Sequence, residues 1–244
     1  MTDSGDNDLA SLRLLQATMA PGPSADLMAA VEDMRPVRPR VPLRSLLIVA
    51  AAAAVFPVVA MALYPLRRDL GALPKLWVGA VGALWLAGFL IPLAFAILPP
   101  AGQVLPNSAR AGRSAVLAGI TLVLVGLLFT VDAPGVTLLP PATWSAFVHF
   151  WWHCVSFSLK VSIPAVVAAA FVLRRLKIAG LARLGAAVGA AAGALSGLAL
   201  HGLCPIGGAA HVGLAHGGGV VIGGLLGALW LPLLIGLTQP RGRG

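Results

Sequence analysis

Acidic side chains are scarce in this sequence. Of 244 residues only 8 are Asp or Glu, and charged residues of both signs make up 10%, against roughly 25% in an ordinary soluble domain. Six of the eight acids (Asp3, Asp6, Asp8, Asp26, Glu32, Asp33) stand in the first 33 residues, leaving Asp69 and Asp132 for the rest. No long apolar run contains one. Proton-coupled and cation transport use carboxylates inside the membrane as relays and binding sites, so their absence argues against a transporter. Cysteine is limited to Cys154 and Cys204. Cys-x-x-Cys, the haem-attachment Cys-x-x-Cys-His, Gly-x-Ser-x-Gly and His-Glu-x-x-His are all missing. Without a hydrolase or attachment signature we expect a protein that is not an enzyme and takes no small-molecule substrate. The first 35 residues are polar and hold no apolar core of a secretory signal peptide.

What is abundant is apolar surface: 59% of the residues are hydrophobic and the mean hydropathy is +0.93. Crossing the hydrocarbon core takes about 20 apolar residues as a helix, and the backbone there must satisfy its own hydrogen bonds. The apolar runs are long and do not alternate, which favours helices over a barrel. Six are present: Ser45 to Tyr64, Leu76 to Leu98, Ser114 to Val131, a run beginning near Cys154 and ending at Leu173, Leu181 to Leu200, and Val212 to Leu237. The expected fold is an all-α integral membrane protein with six transmembrane helices in residues 45–237, preceded by a cytoplasmic segment (1–44) and followed by a short tail (238–244).

Lys and Arg accumulate in cytoplasmic loops. With the N-terminus inside, twelve basic residues flanking the spans are cytoplasmic (Arg35, Arg38, Arg40, Arg44, Arg110, Arg113, Arg174, Arg175, Lys177, Arg183, Arg241, Arg243), against three outside (Arg67, Arg68, Lys75). Both termini are therefore expected in the cytoplasm. The net charge of +9 is then a basic rim facing anionic lipid. Dispersed at helix ends without a groove-reading motif, these cations do not indicate direct nucleic-acid binding. Lys160 stands inside the fourth run, close enough to its outer end to snorkel. Just before that run, Trp144, Phe147, Phe150, Trp151 and Trp152 read as an aromatic belt at the headgroup level.

This topology puts all five histidines (His149, His153, His201, His211, His216) and both cysteines at or near the outer face, which in a bacterial inner membrane is oxidising. Three readings of that set stand side by side. Cys154 and Cys204 form a disulfide or reversible dithiol; the histidines and cysteines hold zinc or copper; or the histidines are interfacial and the cysteines merely small buried residues. His149 and His153 share a helix face at i, i+4, whereas His211 and His216, at i+5, point apart on a regular α-helix. The expectation is of no cofactor, with a zinc or copper ion at this outer set as the alternative. Two glycine stripes at i+4 spacing, Gly185, Gly189, Gly193 and Gly197 in the fifth run and Gly219, Gly223 and Gly227 in the sixth, predict close backbone approach within a compact group of spans four to six.

The segment before the first span reads as two short amphipathic helices divided by Pro21, Gly22 and Pro23, with Leu9, Leu12, Leu15 and then Leu27, Val31, Met34 near helical period. Helices this short are marginal in water. Acidic, amphipathic and tethered, the segment suits helix-in-groove docking on a partner protein, the alternative being a solvated tail.

Taken together, the cytoplasmic segment, the basic PVRPRVPLR before six spans, one cysteine early in span four and the stretch ALHGLCPIGGAAHVGLAH leading into a glycine-rich last span resemble the NrsF-like bacterial membrane anti-sigma factors. The resemblance covers nearly the whole chain. It implies an inner-membrane protein that holds an extracytoplasmic-function sigma factor through its cytoplasmic segment and releases it on envelope or oxidative stress. It also implies that Cys154 and Cys204 are the sensing pair and that the helix around Leu9, Leu12 and Leu15 docks the sigma factor. A membrane metal- or haem-binding redox protein built on the outer His/Cys set is the competing expectation.

Overall fold

The computed structural model describes residues 42–101, 103, 105–128, 144–176, 178–204 and 206–238. Leu9, Leu12, Leu15, Leu27 and Val31 lie outside the described residues, as do Asp132, Pro205 and the C-terminal tail. The described chain is helical, with no strand. Six helices are long and apolar enough to cross a membrane: α1 (Pro42–Leu63), α2 (Lys75–Ile97), α3 (Ser108–Leu128), α4 (Trp144–Leu173), α5 (Leu181–Leu203) and α6 (Ala209–Leu237). Two start more than three residues from the sequence expectation. Helix α3 starts six residues before Ser114 and includes Arg110 and Arg113 in its first turns. Asn107 explains the start, its side-chain oxygen accepting the Arg110 backbone N–H at 3.0 Å, as an N-cap residue does. Helix α4 begins at Trp144, not near Cys154, so Cys154 stands more than two turns inside it. The aromatic stretch of Phe147, Phe150, Trp151 and Trp152 continues the helix instead of preceding it.

Helix α5 is the axis of the bundle. Its most apolar window is 83% buried, against 22–44% for the other five, because its small residues let neighbours close in on several sides. Gly185, Gly189 and Gly193 face Gly227, Gly223 and Gly219 of α6 in antiparallel register, four residues up one helix matching four down the other. A Cβ on Gly185 or Gly189 would overlap the carbonyl oxygen of Gly227 or Gly223. Gly197 instead receives the indole of Trp85 from α2, which is fully buried. Such close approach is how helices associate where lipid gives no hydrophobic drive. Outward-facing Leu, Val and Ile side chains on α1, α3 and α6 remain exposed, the pattern of helices solvated by lipid.

The bundle ends differ in chemistry. At one end Gly180, in the left-handed region at φ 77°, makes the tight turn into α5 and packs against Ser108, and Arg110 lies over the Phe95 ring. At the other, the loop after α1 docks on the end of α5: the Arg67 backbone N–H donates to the Gly202 carbonyl at 2.9 Å. The Arg67 side chain makes a buried, bidentate ion pair with Asp69. The hydrogen bonds from Arg67 hold the Asp69 carboxyl below its ordinary range. A depressed carboxyl stabilises the fold above its unfolded pKa near 4 and loses that contribution as pH falls through the lower folded value. Thermal unfolding in detergent should therefore show a Tm that falls below about pH 4 in the wild type. In Asp69→Asn that drop should be smaller and the Tm at neutral pH lower.

Candidate metal and thiol site

The last helix opens irregularly. After one turn at Ala209–His211, residues Val212–Gly217 form a π-helix before α-helix resumes at Gly218, and the Gly218 N–H reaches back to the Gly213 carbonyl five residues earlier. An α-helix places residues five apart about 140° from each other around the axis; a π turn, hydrogen-bonded from i to i+5, brings them to the same side. The expectation that His211 and His216 point apart is corrected for this reason: their ring centroids are 5.3 Å apart at an interplanar angle of 80°. Two contacts fix the π segment. Trp151 Nε1 donates to the Leu214 carbonyl at 3.0 Å, and α3 presses against it, Gly126 facing the Gly213 backbone and Val123 facing Gly217. Only glycine leaves room at those positions.

Across from the π segment stand the two cysteines. Cys154 from α4 and Cys204 just after α5 are free thiols with Sγ atoms 3.9 Å apart. The His211 Nε2 lies 3.4 Å from Cys154 Sγ and 3.5 Å from Cys204 Sγ. With His216 these residues form a buried group in which one ligand atom from each lies within 4.8 Å of every other. Both ring nitrogens of His216 and Nδ1 of His211 have no hydrogen-bond partner among the described residues. Directly below, Ser158 and Ser196 hydroxyls hydrogen-bond at 2.6 Å, and Ser158 also donates to the Cys154 carbonyl at 3.2 Å, tying α4 to α5 beneath the thiols.

The remaining histidines stand elsewhere. His149 and His153 pair with each other, Nε2 to Nε2 at 3.1 Å, on the exposed face of α4. Cys154, one residue on from His153, turns inward and away from them. His201 is buried against Trp77, ring centroids 5.2 Å apart. Sequence periodicity brings Cys154 near Cys204 but misses the π segment, the serine pair and the Trp151 anchor. A run of small residues, HVGLAHGGG, is compatible with many backbones, so the only available signal is the five-residue histidine spacing itself. A cavity of about 460 Å³ leads to the thiols between α1, α4 and α5, lined among others by Phe56, His153, Lys160, Cys154 and Cys204. Lys160 is exposed on this side, Nζ 5.6 Å from the Phe56 ring centroid.

No curated protein and no solved structure matches the chain. The family model described as negative regulator of sigma F, NrsF, matches residues 30–236, which takes in Val31, the basic approach to α1, all six helices and both cysteines, while Leu9, Leu12, Leu15 and Leu27 precede it. With most of its length matched, the chain belongs to the NrsF family, whose name assigns it the negative regulation of a sigma factor.

Proposed function

We propose that the protein is a plasma-membrane anti-sigma factor, both termini cytoplasmic, that holds an extracytoplasmic-function sigma factor through residues 1–44 and releases it when the thiol cluster changes state. Residues 45–237 are then the membrane domain and 238–244 a cytoplasmic tail. Family membership carries the regulator reading. The orientation is supported by the twelve-to-three bias of basic residues. Leu9, Leu12, Leu15, Leu27 and Val31 supply the apolar stripe for docking. The juxtaposed, buried Cys154 and Cys204 support sensing. Hydrogen peroxide would take two electrons and two protons from the two thiols, forming one S–S bond and two waters, and the bond would draw α4 toward the end of α5. That shift reaches the cytoplasm through the glycine interfaces of α5 and α6, which have little slack.

The test is capture. Detergent-solubilised full-length protein, mixed with lysate of its own host, should retain a sigma factor identified by mass spectrometry, and a variant lacking residues 1–35 should lose at least ~90% of it, as removal of an anchor stripe does. Equal retention by both, or no sigma factor with either, would overturn the docking assignment.

A further inference from the structure

The geometry points to a tetrahedral site for one divalent, zinc-class metal ion, ligated by Cys154 and Cys204 Sγ and by one ring nitrogen each of His211 and His216. The family description names no metal. The inference stands on the cluster's own geometry, and only its use as the sensor's input rests on the regulator reading.

Three observations carry it. The first is distance. Zinc–sulfur bonds of about 2.3 Å and zinc–nitrogen bonds of about 2.0 Å at tetrahedral angles separate two sulfurs by about 3.8 Å and sulfur from nitrogen by about 3.5 Å. The corresponding separations are 3.9 Å between the thiols and 3.4 and 3.5 Å from them to His211. The second is the state of the imidazoles. His216, only 2% exposed, leaves both ring nitrogens without a partner among the described residues. Burying an unpaired polar group is costly, and a metal bond relieves it. The third is convergence. Four ligands arrive from α4, the end of α5 and the opening of α6, His211 just before the π segment and His216 within it. The π segment is needed for this, since an α-helical run would carry His216 away from His211. Helix irregularities of this type concentrate at functional sites.

Charge selects the ion. Binding releases one proton from each thiol, so a divalent ion with two thiolates and two neutral imidazoles forms a neutral site. A monovalent ion would leave one uncompensated negative charge in a buried setting. Four-coordinate sulfur and nitrogen donors suit zinc. The cavity of about 460 Å³ that reaches both thiols past His153 gives the ion a route in.

The test uses purified full-length protein in detergent, stripped with chelator under reducing conditions and without any sigma factor, so that its outcome is independent of partner binding. Titration with Zn2+ against a chromophoric competitor should show one ion per chain. Co2+ should give the intense visible bands and thiolate charge-transfer absorption of a tetrahedral sulfur-ligated ion. Loss of one ligand should exceed the 10- to 100-fold typical of outer-shell losses, so Cys154→Ser, Cys204→Ser and His216→Ala should each weaken Zn2+ by more than about 100-fold. His149→Ala, on the exposed face, should leave affinity unchanged. No bound Zn2+, a faint octahedral Co2+ spectrum, or affinity indifferent to Cys154→Ser and His216→Ala would each overturn the site. A chain that loads Zn2+ yet captures no sigma factor would leave the site standing and the regulator reading refuted.

Discussion

Gly189→Ala should lower the stability of the helical bundle by about 3 kcal/mol, near the upper end for overpacking, and cut the yield of folded protein in detergent. The added methyl would overlap the Gly223 carbonyl oxygen, a backbone atom that can yield only by moving α6 as a body. The cost falls on the interface that holds α5, the most enclosed helix, to its glycine-lined partner. A control separates packing from helix propensity. Gly79, in α2, has nothing within 4 Å of the position an added methyl would take, so Gly79→Ala should be neutral or stabilise by up to about 1 kcal/mol, the intrinsic advantage of alanine in a helix. Thermal melts of both variants in the same detergent decide the matter. Equal melting of Gly189→Ala and wild type would mean that the two stripes do not bear on each other.

The second large effect is expected where α3 meets the π segment. In Gly126→Ala the new methyl would press on the Gly213 backbone, with Cα 2.5 Å and N 2.6 Å away, and the π turn must shift or revert to α-helix. Either change separates His216 from His211. The variant should therefore lose Zn2+ affinity by at least about 10-fold, the range seen when support around a ligand is removed, although Gly126 belongs to another helix and offers no ligand. Its helix content by circular dichroism should match wild type. Full affinity with the wild-type Co2+ spectrum would show that the π segment holds its shape without help from α3.

The architecture is legible in the sequence because helices apolar and long enough to cross a membrane stand out as unbroken runs, and most of the six runs need only small adjustments at their ends. Arg110 and Arg113 lie within α3, not in the loop before it, because charge at a helix terminus does not stop a helix that Asn107 caps. The aromatic run before Cys154 has the composition of an interfacial belt; it forms the first turns of α4, and Trp151 within it holds the π segment by its indole N–H. Glycine stripes also speak directly, since four-residue spacing on two neighbouring runs leaves few other ways to pack. The site is only half legible. Antiparallel hairpin geometry brings Cys154 and Cys204 to one depth, but ligand grouping depends on helix pitch, and a regular pitch is the wrong one here. The wider π turn over six positions moves His216 into the cluster. His149 and His153 do share a face as their spacing implies, yet that face is the exposed one. The buried Arg67 and Asp69 pair has no signal beyond two opposite charges close in sequence.

If oxidation of the Cys154 and Cys204 pair governs the hold on the sigma factor, as proposed, forming the disulfide must release the partner. The most direct measurement places the full-length protein in lipid nanodiscs with its fluorescently labelled sigma factor bound, and follows sigma-factor anisotropy as hydrogen peroxide is added. Anisotropy is expected to fall as the wild-type thiols oxidise, while Cys154→Ser holds its partner throughout. A sigma factor that stays bound while the wild-type disulfide is shown to have formed, or that leaves the Cys154→Ser variant equally fast, would contradict this coupling.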